Sequence, residues 1–210
     1  MPTRVLLMRH AQTAAPDVFH GFESDVDLSE LGYRQADAVA PVVAAWRPDV
    51  LICSAMRRAR LTAEPIARAC RIPPQTEPDL HERKVGALVG QPAQPELGIW
   101  PDTLQRWIDG DTGYAPEGSE SFDQIRDRVL PVWQRLMQTH HGQKIAIVCH
   151  GIVCRVLTIT LIPSLTLADW KRLGRIHNMS MSEFVEDGSS WRAERLYEVP
   201  PAVCALATTR

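Results

Sequence analysis

No stretch of this 210-residue chain reaches the length of an apolar membrane span. The longest apolar run, residues 152–162, is broken by Arg155, Thr158 and Thr160. The beginning lacks the apolar region of a secretory signal, since Arg4 is followed by only a short apolar run. Charge of one sign is not in excess: 23 Lys and Arg stand against 25 Asp and Glu. That balance excludes the basic footprint of a nucleic-acid binder. It does not exclude a local cationic cleft, because net charge says little about one pocket. The five cysteines are odd in number and fit no zinc spacing. They read as reduced, mostly buried thiols of a cytoplasmic protein. Repeats and low-complexity tracts are absent. A hydrophobic share of 45% and a charged share of 23% are ordinary for a globular chain. One domain, 1–210, is expected, with the segment around 83–118 inserted as a small cap.

What is present is an alternation of short strands and helices. Residues 5–8 form an apolar strand that leads into Arg9-His10. Leu28-Ser29 opens a helical pattern carrying Ala36, Val39, Ala40 and Val43, and Pro41 predicts a kink in it. Residues 49–53 read as a strand and 57–70 as a helix that Pro65 weakens. A brief strand is expected at 75–77. Glycines and prolines then punctuate residues 81–118, which predicts an irregular cap with a short helix near 102–108. Ser121 and Gln124 have the spacing of a capping box. Residues 144–149 are the most strand-like run and end in His150-Gly151, before a helix from Ile152. Residues 179–185 and 191–197 read as a hairpin around Asp187-Gly188, and the tail from Pro200 is expected to be peripheral. The pattern predicts an α/β fold: a mostly parallel sheet with helices on both faces. Ligands in such folds sit at the carboxyl ends of the strands.

Three strands end in polar signatures: Arg9-His10, Ser54 with Arg57-Arg58, and His150-Gly151. Each alone is weak, because a lone histidine after a strand is usually structural. In a parallel sheet, however, all three ends share one edge. Arginine forks bind phosphate oxygens in pairs, and helix starts after Ser54 and Gly151 would add backbone N–H donors. An imidazole among such groups can attack phosphorus and carry the phosphoryl group. A departing alkoxide needs a proton, and Glu82 is the candidate donor.

The residues carry a resemblance. Arg9-His10-Ala11-Gln12-Thr13 resembles the Arg-His-Gly signature of the histidine phosphatase superfamily, in its phosphoglycerate-mutase-like branch. The likeness continues in order through Leu28-Ser29-Glu30-Leu31-Gly32, Ser54-Ala55-Met56-Arg57-Arg58-Ala59, Leu80-His81-Glu82, Gly118-Ser119-Glu120-Ser121 and Val148-Cys149-His150-Gly151. Asn178 and Ser180 resemble its late strand. The resemblance implies a three-layer α/β/α sandwich with one antiparallel edge strand. It implies that His10 is the phosphorylated nucleophile and that Arg9, Arg58 and His150 form the phosphate pocket. Arg58 is the matching arginine, because it directly precedes the alanine. Glu82 would be proton donor and then base, and Gln12, Thr13, Gly21 and Gly151 would contact substrate or phosphate. No cofactor is implied, except 2,3-bisphosphoglycerate if the protein is a mutase. The implied partner is a small phosphorylated metabolite, and a homodimer is left open. Three departures stand out. Ala11 replaces a glycine, Gln12 stands where glutamate is usual, and Pro16-Asp17 occupies the place of a phosphate-binding asparagine.

Other readings compete. Cys149 and Arg155 have the Cys-x5-Arg spacing of cysteine-dependent phosphatases, although the loop between them is poor in glycine. A metallohydrolase would use His10, His150 and a carboxylate, but no acid has metal-typical spacing beside either. A silent binder of phosphorylated ligands would have no need of Glu82. Between hydrolysis and mutase chemistry, the cap favours hydrolysis. Arg83, Lys84 and Arg106 face Glu96, Asp102, Asp109, Asp111 and Glu117, a net acidic segment unsuited to a bisphosphate. Leu88, Val89, Ile99 and Trp100 point to a substrate with an uncharged body.

Overall fold

A computed structural model describes residues 1–93 and 98–207; Glu96 of the cap lies outside the described residues. Six strands form one sheet: β1 (Arg4–Arg9), β2 (Val50–Ser54), β3 (Gln75–Glu77), β4 (Lys144–Cys149), β5 (Met181–Asp187) and β6 (Ser190–Glu198). Their order is β3-β2-β4-β1-β5-β6. β1, β2, β3 and β4 run parallel. The antiparallel strand expected at the edge lies one place inside it. β5 runs against β1, and β6 closes the sheet as the second arm of the hairpin.

The period of two in β1 sends Val5 and Leu7 to one face and Leu6 and Met8 to the other. The first face packs under α3 (Ile99–Ile108), α4 (Phe122–Thr139) and α5 (Gly151–Leu161). The second packs under α1 (Glu30–Trp46) and α2 (Arg57–Cys70). The result is the expected three-layer α/β/α sandwich. Ser29 caps α1 by accepting from the Gly32 N–H, and Ser121 with Gln124 forms the capping box of α4. Pro41 and Pro65 both lie inside their helices, which continue past them. The buried faces of α1 and α2 supply the stability that each proline removes locally. The segment around 83–118 holds the expected short helix, α3, whose Trp107 is fully buried in the core. One expectation needs correction: the tail is not wholly peripheral, since Val203 of α6 (Pro201–Cys204) packs into the second core.

Among the described residues, no helix is long and apolar enough to cross a membrane.

Candidate active site

The register of β1 on β4 places Arg9 opposite Cys149. The His10 N–H then donates to the Cys149 carbonyl at 2.9 Å, beside the start of α5. This brings the two histidines together, with ring centroids 5.1 Å apart. Asn178 donates to the His10 carbonyl at 3.0 Å, and the Ala11 N–H donates to Thr62 Oγ1 of α2 at 3.0 Å. Ala11 is fully buried and does not have a positive φ. Alanine in place of the signature glycine therefore carries no backbone strain there.

The His10 ring is 5% exposed, and its Nδ1 lies 2.7 Å from the Ala11 carbonyl. A carbonyl only accepts, so Nδ1 carries the proton and Nε2 keeps its lone pair. Burial, followed by the charges of Arg58 and Arg9, holds the imidazole pKa well below its ordinary value. The ring is thus neutral near pH 7 and has a free nitrogen to attack with. His150 is likewise kept neutral, first by burial and then by Arg58. Its Nε2 lies 2.8 Å from Ser54 Oγ, at the end of β2. Its Nδ1 is buried with no protein partner.

Arg58 is 1% exposed on the first turn of α2. It donates through Nη1 to the Ser24 carbonyl at 2.7 Å and through Nη2 to the Gly21 carbonyl at 3.2 Å. Gly21 has no room for a side chain, since a Cβ there would come within 2.8 Å of the Arg83 carbonyl. Arg9 donates through Nη1 to the Ile176 carbonyl at 2.6 Å. A Cβ on Gly151 would lie 3.5 Å from Arg9 Nε, so this guanidinium covers the start of α5. The Nε atoms of Arg9 and Arg58 are both buried and unpartnered. Burial lowers the Arg58 pKa to about 10, which leaves it charged at neutral pH. Arg57 instead points outward and pairs with Asp27 at 2.7 Å, as a neighbour rather than a site residue.

Glu82 is 8% exposed. One carboxylate oxygen accepts from the Arg83 N–H at 2.9 Å and the other from the Ile152 N–H at 3.3 Å, in the first turn of α5. Its segment is clamped on both sides. Arg128 donates to the Asp79 and His81 carbonyls, and Glu23 accepts from the Val85 and Gly86 N–H groups.

A cavity of about 630 Å³ opens over these groups. Arg9, His10, Thr13, Glu82 and Gly151 line it directly, while Arg58 and His150 lie buried behind that wall. Gln12 is not in the wall; its amide oxygen accepts from Ser29 Oγ at 2.7 Å. Gly21 acts at one remove, through the carbonyl that holds Arg58. Pro16 and His20 line the cavity, whereas Asp17 is exposed and is not among its lining residues.

The far wall differs from the expectation of an uncharged body. Val89 and Ile99 are exposed and Leu88 is buried, and none of these three lines the cavity, whereas Trp100 does. Asp102, Asp109, Asp111 and Glu117 are also outside the wall, which instead carries Arg83, Arg155, Lys171 and Arg175. Cap composition misled because these acids sit on the solvent side.

The thiol of Cys149 is fully buried, 3.4 Å from that of Cys154, and burial raises its pKa well above the ordinary value. A cysteine nucleophile needs the opposite environment. Among the described residues, no three His, Cys, Asp or Glu side chains gather as a metal site.

Sequence reasoning missed several supports. Ser54 orients His150, Thr62 holds the Ala11 backbone and Glu23 fixes the segment after Glu82. Ser54 and Thr62 stood inside quoted or adjacent motifs; nothing in the sequence around Glu23 marks it.

A family model described as histidine phosphatase superfamily (branch 1) matches residues 5–199. A metal-independent phosphoserine phosphatase of Arabidopsis thaliana is 33% identical over 165 residues, 76% of this chain and 68% of that protein. A glucosyl-3-phosphoglycerate phosphatase of Mycolicibacterium vanbaalenii is 32% identical over 186 residues, 84% of this chain and 81% of that protein. The solved structure of a mycobacterial glucosyl-3-phosphoglycerate phosphatase superposes with a TM-score of 0.80 at 25% identity. It covers 95% of this chain and 100% of that one. The chain spans about half the length, 52%, of some other curated relatives it matches.

Proposed function

Because the chain belongs to the histidine phosphatase superfamily and is an enzyme, we propose that it hydrolyses a small phosphomonoester through a phosphohistidine at His10. The observation that carries this reading is one cluster. A neutral His10 with a free Nε2 stands among three buried, unpartnered nitrogens: Arg9 Nε, Arg58 Nε and His150 Nδ1. Buried donors left unpaired are costly unless a ligand takes them up. A phosphoryl group offers the oxygens and the charge they need.

In the first step His10 Nε2 attacks phosphorus and the P–O bond to the alcohol breaks. Glu82 gives its proton to the departing oxygen. In the second step Glu82 takes a proton from water, whose oxygen attacks phosphorus as the P–N bond breaks. Inorganic phosphate leaves and His10 is restored. Arg9 and Arg58 offset the charge on the equatorial oxygens throughout. With the Ser54 hydroxyl donating to Nε2, His150 presents Nδ1–H to the same oxygens. Residues 1–210 act in this reading as one catalytic domain with 83–118 as its cap, in a reducing, cytoplasmic setting.

The cations of the far wall favour one second reading, bisphosphoglycerate-dependent mutase chemistry on the same histidine. A panel of phosphomonoesters, assayed with and without 2,3-bisphosphoglycerate, separates the two. Release of phosphate without the bisphosphate supports hydrolysis. Isomerisation of phosphoglycerate that requires it reverses the preference.

A further inference from the structure

We propose that Met56 is a positioning residue for the proton donor: its sulfur accepts the buried backbone N–H of Glu82 and ties that residue to the helix start that carries Arg58. This rests on the reading of Glu82 as proton donor and adds the group that holds it in place.

Met56 stands at the N-cap of α2, where Ser, Thr, Asp or Asn ordinarily bonds the first turn. Its side chain makes no cap bond. Asp25 serves that turn instead, accepting from the Arg57 N–H at 2.6 Å. Met56 is 5% exposed, and its Sδ accepts from the Glu82 N–H at 3.4 Å. Among the described residues this sulfur is the one acceptor that the N–H has. A buried N–H left without an acceptor is costly. A thioether is a weak acceptor, but its flexible chain reaches where a shorter side chain would not. A leucine would fill nearly the same volume and leave the N–H unpaired.

The Met56 backbone is itself held on both sides. Its N–H donates to Ser54 Oγ at 3.3 Å, the same hydroxyl that lies 2.8 Å from His150 Nε2. Its carbonyl accepts from the Ala59 and Arg60 N–H groups at 3.0 and 3.1 Å, in the turn that carries Arg58. One residue therefore joins the support of His150, the turn of Arg58 and the main chain of Glu82. The other main-chain restraints around Glu82 come from elsewhere. His81 Nδ1 lies 2.7 Å from the Glu82 carbonyl, and Arg128 of α4 donates to the His81 carbonyl at 3.0 Å. Those bonds hold the segment to itself and to α4. The sulfur holds it to the turn behind the phosphate pocket, so the acid and the arginine keep one spacing as phosphate is transferred.

The test is kcat/KM over a series of aryl and alkyl phosphates of rising leaving-group pKa, which reports the steps through phosphohistidine formation. Its logarithm, plotted against that pKa, should fall gently in the wild type and steeply in Glu82→Gln. Met56→Leu should lie between them, about three- to tenfold below wild type on alkyl phosphates and within about twofold on aryl phosphates, the scale of one lost weak hydrogen bond. The slope does not depend on how much of the enzyme is folded. Melting curves check folding, and Met56→Ile replaces the leucine variant if it fails. Met56→Gln, whose amide oxygen restores an acceptor, should recover the wild-type slope. A wild-type slope in Met56→Leu, or a fall of equal size on every substrate, would overturn the positioning role and leave Glu82 as the donor. A folded Met56→Gln that keeps the steeper slope of the leucine variant would also overturn it. A wild-type slope in Glu82→Gln would instead overturn the proton-donor reading, and the role of Met56 with it.

Discussion

The two walls of the cavity are built on different principles. The sheet-edge wall is set by backbone register. His10 and His150 follow neighbouring parallel strands and Ser54 ends the next one, and main-chain carbonyls hold His10 Nδ1, Arg9 and Arg58. The far wall is set by side-chain packing, with Trp100, Trp107 and Trp170 wedged edge to face under two arginines. A wall built on register holds atoms to fractions of an ångström, as chemistry demands. A wall built on packed rings can change its residues without disturbing the first. On this division, changes at the sheet edge should lower kcat, and changes at the far wall should act mainly on KM.

The largest effect after loss of the nucleophile should come from Arg58→Met. Losing a fixed donor to the transferring group costs about 10²- to 10³-fold in kcat, and steady-state assays would show it. A change confined to KM would break the division between the walls. Glu82→Gln should cost about 10²-fold or more on alkyl phosphates. It should cost much less on aryl phosphates, whose leaving groups need no proton. Equal losses on both would remove Glu82 as the proton donor.

Trp100→Ala removes the ring beneath Arg83 and should raise KM by about three- to tenfold with kcat little changed, in keeping with a cation–π contact of about 1 kcal/mol. A matching fall in kcat would mean that the far wall also positions the reacting atoms.

The pH profile sharpens the contrast further. His10 and His150 have pKa values held well below their ordinary value in the folded state. Between that depressed pKa and about 6.5 the unfolded chain binds more protons at these positions. Stability therefore falls as pH drops below about 6.5. Thermal melts from pH 7 to 5 should show the decline, and it should be shallower in His150→Gln. The acid limb of kcat/KM should lie below pH 6.5, because free His10 stays neutral there. The smallest effect is expected for Cys149→Ser, with kcat within about twofold of wild type, since this thiol faces Cys154 in the core. Abolished turnover would revive the cysteine mechanism.

The same division explains what was legible in the sequence. Strand ends such as Arg9-His10 and His150-Gly151 are contiguous motifs, and a parallel sheet leaves their side chains only one edge to share. Helix caps at Ser29 and Ser121 were readable because capping is local. The far wall was not, because it depends on which way a long side chain turns. Arg83 was counted as one cation in an acidic cap, and Arg155 as part of a cysteine motif. Composition cannot show that Asp109 and Asp111 face solvent while Arg83 lies inside. Gln12 failed for a related reason, since Ser29 takes its side chain.

The most direct test of the central claim is to trap the phosphoenzyme. Rapid acid-free quenching after mixing with a phosphorus-labelled phosphomonoester, followed by peptide mapping, should place an acid-labile label on His10. His10→Ala should show no label and no turnover. Label on another residue, or hydrolysis that survives His10→Ala, would contradict the account.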